Sequence, residues 1–107
     1  MRLLLDESIP EQFEPYVAEF APSTVRREQL KGLRNGVLLR AAVDRGFTVI
    51  FSADQSLRYQ QNLARIGIAA VVIVKIRNRM KDLLPVLPQI KDAIAHAKIG
   101  TVTEVTG

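Results

Sequence analysis

The chain has 107 residues, 15 Lys and Arg against 11 Asp and Glu for a formal charge of +4, and no cysteine. That length supports one domain and hardly two, with a core that needs no covalent staples. Lacking cysteine, the chain excludes disulfides, Cys-ligated zinc, iron–sulfur clusters and thiol catalysis, and its single histidine argues against a His-rich metal centre or a catalytic triad.

Arg2-Leu3-Leu4-Leu5 reads as a short opening strand that stops at Asp6-Glu7. The apolar run is too short for a signal peptide or a membrane span, so a soluble, cytoplasmic protein with no membrane association is expected. Ser8 and Glu11 form a capping-box pattern ahead of Phe13, Tyr16, Val17 and Phe20, which predicts a helix over 10–20, bent at Pro15. Pro22 ends it, and Ser23-Thr24-Val25 is a plausible second strand. The basic stretch 26–34 reads as a loop, and Asn35 as the N-cap of a helix through Val43 that Gly46 closes.

Phe47 to Phe51 is β-branched, aromatic and nearly continuous in hydrophobicity, the pattern of a strand covered on both faces. A helix over 56–66 follows, then a second continuous apolar strand over 68–74. Leu83, Leu84, Leu87, Ile90, Ile94 and Ala97 mark one face of a last long helix, and Thr101 to Val105 is a candidate edge strand. Strands alternating with helices predict an α/β fold: a three-layer α/β/α sandwich around a mostly parallel sheet of four to five strands, in a single domain over 1–107.

In open parallel sheets ligands bind at the carboxyl ends of the strands. Asp6-Glu7 and Asp54 both fall there. Carboxylates gathered on one rim repel each other, and a hard divalent cation, Mg²⁺ or Mn²⁺, relieves this. Metal-activated water then suits phosphodiester hydrolysis. Each acid also has a plainer use, since a carboxylate ahead of a helix caps it and complements its dipole, and Asp54 is placed to do so. The cations fall into two groups, Arg26, Arg27, Lys31 and Arg34 before the second helix, and Lys75, Arg77, Arg79 and Lys81 beyond the fourth strand. A cationic margin around an acidic centre suits an anionic polymer, while a solvated surface explains the same residues. Arg58, one turn beyond Asp54, is placed to pair with that carboxylate or reach a phosphate. His96 lies off the apolar stripe and is given no role.

Leu3-Leu4-Leu5-Asp6-Glu7-Ser8, the stretch Gly32-Leu33-Arg34-Asn35-Gly36-Val37-Leu38-Leu39, and Ser52-Ala53-Asp54-Gln55-Ser56-Leu57-Arg58-Tyr59-Gln60-Gln61-Asn62-Leu63 together resemble a PIN-like family. This is a short bacterial branch related to the toxins of toxin–antitoxin operons. The resemblance implies an α/β/α fold and a Mg²⁺- or Mn²⁺-dependent ribonuclease whose catalytic, metal-holding acids are Asp6 and Asp54, helped by Glu7 and Ser56. For such an enzyme Arg34, Asn35, Arg58, Lys75, Arg77 and Arg79 are the candidate RNA contacts in this sequence, and the resemblance implies a small antitoxin protein as partner and a homodimer. The chain departs from the family pattern at Val37 and Ser56, where relatives carry acids. Asp44 lies seven residues beyond Val37, about 10 Å along a helix, too far to substitute for it. Two other readings stand beside the nuclease: a PIN-like module that binds a protein or RNA without catalysis, and a phosphoacceptor receiver domain with Asp54 as acceptor.

Overall fold

The structure, a computed structural model, describes residues 1–60 and 62–107. Five strands, β1 (Leu3–Leu5), β2 (Ser23–Thr24), β3 (Val49–Ser52), β4 (Ala69–Ile73) and β5 (Val102–Val105), form one sheet in the order β2-β1-β3-β4-β5. Every pairing is parallel. The fold is therefore of the α/β class.

Successive strand residues face opposite sides of a sheet, and the two cores divide accordingly. Leu3, Leu5, Val49, Phe51, Val71 and Ile73 pack on one side, beneath Phe13, Val17, Leu83, Ile90 and Ile94. Leu4, Ile50, Ala70 and Val72 pack on the other, beneath Leu38, Leu39, Ala42, Leu57 and Leu63. All five residues of β4 are buried, as expected for a strand covered on both faces. Three layers result: the segment Glu11–Phe20 with α3 (Met80–Leu83) and α4 (Leu87–Ala95) on the first face, the sheet, and α1 (Asn35–Asp44) with α2 (Leu63–Ile66) on the second.

The helices are more broken than the apolar spacing predicts. Glu11–Phe20 is a 3₁₀ helix with Pro15 inside it and a non-helical Val17 at φ −124°, ψ 26°. Proline removes a donor from the α-helical ladder, which the tighter winding and the kink accommodate. The capping box does not form. Pro10 is the N-cap without a side-chain hydrogen bond, and Ser8 is spent elsewhere. Asn35 opens α1 at φ 52°, a left-handed conformation asparagine tolerates, and Arg34 takes the N-cap place without a side-chain bond.

The helix expected over 56–66 is two pieces. A 3₁₀ turn, Gln55–Tyr59, ends at Gln60, whose ψ of 112° is extended, and α2 begins at Leu63. Gln61, which falls within the expected helix and the family-like segment, lies outside the described residues. Leu57 and Leu63 are buried and anchor the pieces to the core, with Ile66 packed against it. The last helix starts earlier than expected, as α3, passes through a 3₁₀ turn at Leu84–Val86 and restarts as α4 with Pro88 in its first turn. Strand β3 begins at Val49 rather than Phe47, because the Phe47 amide bonds back to the Ala42 carbonyl at the end of α1. Among the described residues no helix is long and apolar enough to cross a membrane.

Candidate functional site

β1 and β3 are neighbours, yet β1 connects outward to β2 and β3 onward to β4 in the opposite direction. The chain therefore reverses its winding between them, which opens a crevice at their carboxyl ends. Asp6 follows β1 directly and Ser52 ends β3, so the reversal brings the two ends together: the Asp6 amide donates to the Phe51 carbonyl at 3.0 Å. A cavity of about 310 Å³ lies here, with Asp6, Glu7 and Ser8 on one side, Arg34, Asn35 and Leu38 from the start of α1, and Asp54 and Leu57 beyond β3. Asp6 and Asp54, 48 positions apart in the chain, line one crevice.

The Asp6 carboxylate is only 8% exposed and is held by two hydroxyls. Ser52 Oγ donates to its Oδ2 at 2.7 Å and Ser8 Oγ to the same oxygen at 2.8 Å. Each serine oxygen in turn accepts a backbone amide, Ser52 from Asp54 at 2.8 Å and Ser8 from Ala53 at 2.9 Å. A hydroxyl has one proton, and the accepted amides orient both protons toward Asp6. Among the described residues no partner bonds its Oδ1, and no buried side-chain oxygen or nitrogen is left unsatisfied. Oδ1 is thus neither hydrogen-bonded within the described residues nor fully buried.

Asp54 is exposed and performs the structural task its position allows. Its Oδ1 accepts the Ser56 amide at 2.9 Å and caps the Gln55–Tyr59 turn. Ser56 Oγ points at Asn35 Oδ1, at 3.4 Å, and so links this turn to the first residue of α1. Glu7 is exposed and lines the cavity beside Asp6. Among the described residues neither Asp6, Glu7 nor Asp54 is engaged in an ion pair.

Val37 is 58% exposed and does not line the cavity. The acid missing at that position therefore leaves no gap in the wall; the polar α1 side chain there is Asn35. Arg58 does not pair with Asp54. Its guanidinium donates to the Tyr59 hydroxyl at 2.7 Å and lies 3.9 Å from Glu104 of β5. These partners, the tyrosine hydroxyl foremost, raise its pKa above the usual arginine value.

The two basic groups differ in how far they are neutralised. Arg26 faces Glu11 at 3.5 Å and Arg27 clasps Glu14 at 2.7 Å, whereas Arg34, on the cavity, has no ion-pair partner among the described residues. Beyond β4, Arg79 pairs with Asp82 at 2.8 Å, while Lys75 and Arg77 are exposed and unpaired among the described residues. Asn78, between the two arginines, donates to the Ser8 carbonyl at 2.7 Å. Sequence reasoning assigned no role to Ser52 or Asn78. Ser52 at a strand terminus two residues before an acid is a usable signal, and Asn78 carries none.

For a divalent cation the acids that line the crevice, Asp6, Glu7 and Asp54, offer oxygen donors. Mg²⁺ is commonly held by one or two carboxylates, completing its shell with water and substrate phosphates, and these residues fit that mode. They do not fit a closed all-protein cage, since no cluster of three acid or histidine ligands is present among the described residues. Comparison with protein-family models, with curated proteins and with solved structures returned no match.

Proposed function

We propose that the protein is a divalent-cation-dependent ribonuclease of PIN-like type, with Asp6 and Asp54 as its catalytic carboxylates. The observation that carries this reading is that both acids, unpaired, line one crevice at the switch point of the sheet. Mg²⁺ or Mn²⁺, when bound, supplies an activated water and neutralises charge on the phosphodiester. Ser8 and Ser52 hold the Asp6 carboxylate through one oxygen and leave the other without a hydrogen bond among the described residues. Glu7 adds negative charge beside it, and Arg34, with Lys75 and Arg77 beyond β4, attracts the anionic strand. The same proposal includes a small antitoxin protein as partner, a homodimer and a cytoplasmic location, all implied by the family resemblance.

The second reading is a PIN-like module that binds RNA or a protein without cutting. Its support is that, among the described residues, no group of three acid or histidine side chains is placed to hold a metal. The receiver reading has the strand order in its favour, but no hydroxyl directly follows β4. The test is cleavage of labelled single-stranded RNA during a Mn²⁺ titration, with wild type beside Asp6→Asn and Asp54→Asn. Cation-dependent cutting lost in both variants supports the nuclease. Cutting that survives Asp54→Asn overturns the site, and binding without cutting selects the module.

A further inference from the structure

We propose that Asn78 is a positioning residue that clips the cationic turn beyond β4 to the acidic crevice, so that Arg77 and its neighbours meet a nucleic-acid strand preorganised. The inference rests on the nucleic-acid reading above and deepens it: it names what holds the phosphate-attracting arm in place.

Residues 75–79 leave the sheet abruptly. The Val74 amide still bonds the Val105 carbonyl, but Lys75 turns at φ 62°, a left-handed conformation unfavourable for a lysine. Among the described residues no backbone amide from 75 to 79 donates to another backbone group, and the ladder resumes only where Asp82 and Leu83 bond the Arg79 carbonyl. Among the described residues two attachments hold the turn against the fold. Ile76 packs on the core. Asn78 Nδ2 donates to the Ser8 carbonyl, bridging 70 positions of sequence.

That carbonyl belongs to a residue already committed to the crevice. Ser8 Oγ donates to Asp6 and accepts the Ala53 amide. The clip thus runs from the cationic turn, through one residue, to the buried carboxylate. Beside it Ala53, Ile76, Arg77, Asn78 and Arg79 border a shallow cavity of about 330 Å³. Its cations and the acidic crevice therefore meet at Ser8 and Ala53. An anionic strand crossing the crevice has its next phosphates within reach of Arg77 only while the turn stays where Asn78 holds it.

A flexible cation still contacts phosphate, but ordering it costs part of the binding energy. Loss of the clip therefore weakens binding without reducing the number of counterions released, whereas loss of an arginine reduces both. The experiment is fluorescence anisotropy of a labelled single-stranded RNA with EDTA present, across a salt series. Asn78→Ala is expected to weaken binding about five-fold with an unchanged salt slope, while Arg77→Ala lowers the slope by about one. In an Arg77→Ala/Arg79→Ala background the Asn78→Ala effect shrinks below about two-fold, because residues acting as a unit are not additive. Ile76 keeps the turn attached, so thermal unfolding of Asn78→Ala stays close to wild type. Binding by Asn78→Ala equal to wild type, or an undiminished loss in the Arg77→Ala/Arg79→Ala background, overturns the inference while leaving the ribonuclease reading intact. A wild-type chain that binds no RNA at any salt sinks both.

Discussion

Ser52 Oγ and Asp6 Oδ2 lie 2.7 Å apart, joining the carboxyl ends of β1 and β3 through a hydroxyl that is wholly buried. The same hydroxyl accepts the Asp54 amide. One oxygen therefore fixes the carboxylate of the first acid and the backbone of the second. Ser52→Ala removes a donor from a nearly buried carboxylate and an acceptor from the Asp54 amide. Leaving buried polar groups short of partners costs about 1–3 kcal/mol. Urea unfolding is expected to show a loss in that range with an unchanged denaturant slope. A loss below roughly 0.5 kcal/mol, the scatter of ordinary surface changes, shows that the hydroxyl is not structural.

Asp54 has two roles that chemistry can separate. Asparagine caps as well as aspartate, while alanine does not. Asp54→Asn is therefore expected to keep wild-type stability, and Asp54→Ala to lose about 1 kcal/mol. Thermal or urea unfolding measures both. If the two variants are equally stable, the Asp54 bond to the Ser56 amide contributes nothing, and the carboxylate is held for its charge alone.

The layering of this fold was legible because the strands are continuous apolar runs. Leu3, Leu4 and Leu5 have to be buried on two faces at once, and they are divided between the two cores. That Asp6 and Asp54 share a crevice followed from their places at strand ends, since a parallel sheet gathers its carboxyl ends on one rim. The helix interruptions were less legible. Pro15 signalled a bend but not 3₁₀ winding broken by a kink at Val17, and nothing in Gln60 marked the extended turn that ends the first helical piece. The network around Asp6 was the least legible. Ser8, Ser52 and Asn78 are ordinary polar residues whose roles exist only once their rotamers and their distant partners are fixed.

Val37 and Asn35 provide a direct test of the crevice as a cation site. A carboxylate at 37 projects from an exposed position, whereas one at 35 stands on the cavity wall. Aspartate tolerates the left-handed backbone of residue 35 nearly as well as asparagine does. Asn35→Asp is expected to raise Mn²⁺ affinity about tenfold, roughly 1.4 kcal/mol, and Val37→Glu to change it less than about two-fold. Isothermal titration of Mn²⁺ reads both. A larger gain at Val37→Glu places the cation outside the crevice.

Across the sheet from α1, Lys91 of α4 reaches Glu19 at 2.6 Å and ties the first 3₁₀ helix to the last helix. The hydrogen bond from Lys91, the largest cause, holds the Glu19 carboxyl below its ordinary value. A carboxylate whose pKa is lower in the folded state stabilises at pH above its unfolded value, and that stabilisation is lost as pH falls through the folded one. The stability difference between wild type and Lys91→Ala is accordingly present at neutral pH and closes on acidification below the ordinary carboxylate value. Both partners are solvated, so the difference is small and salt reduces it further. Thermal midpoints of the two chains, followed from neutral to acid pH at low and high salt, check this. A difference that stays constant as pH falls shows that Lys91 acts through its aliphatic stem rather than its charge.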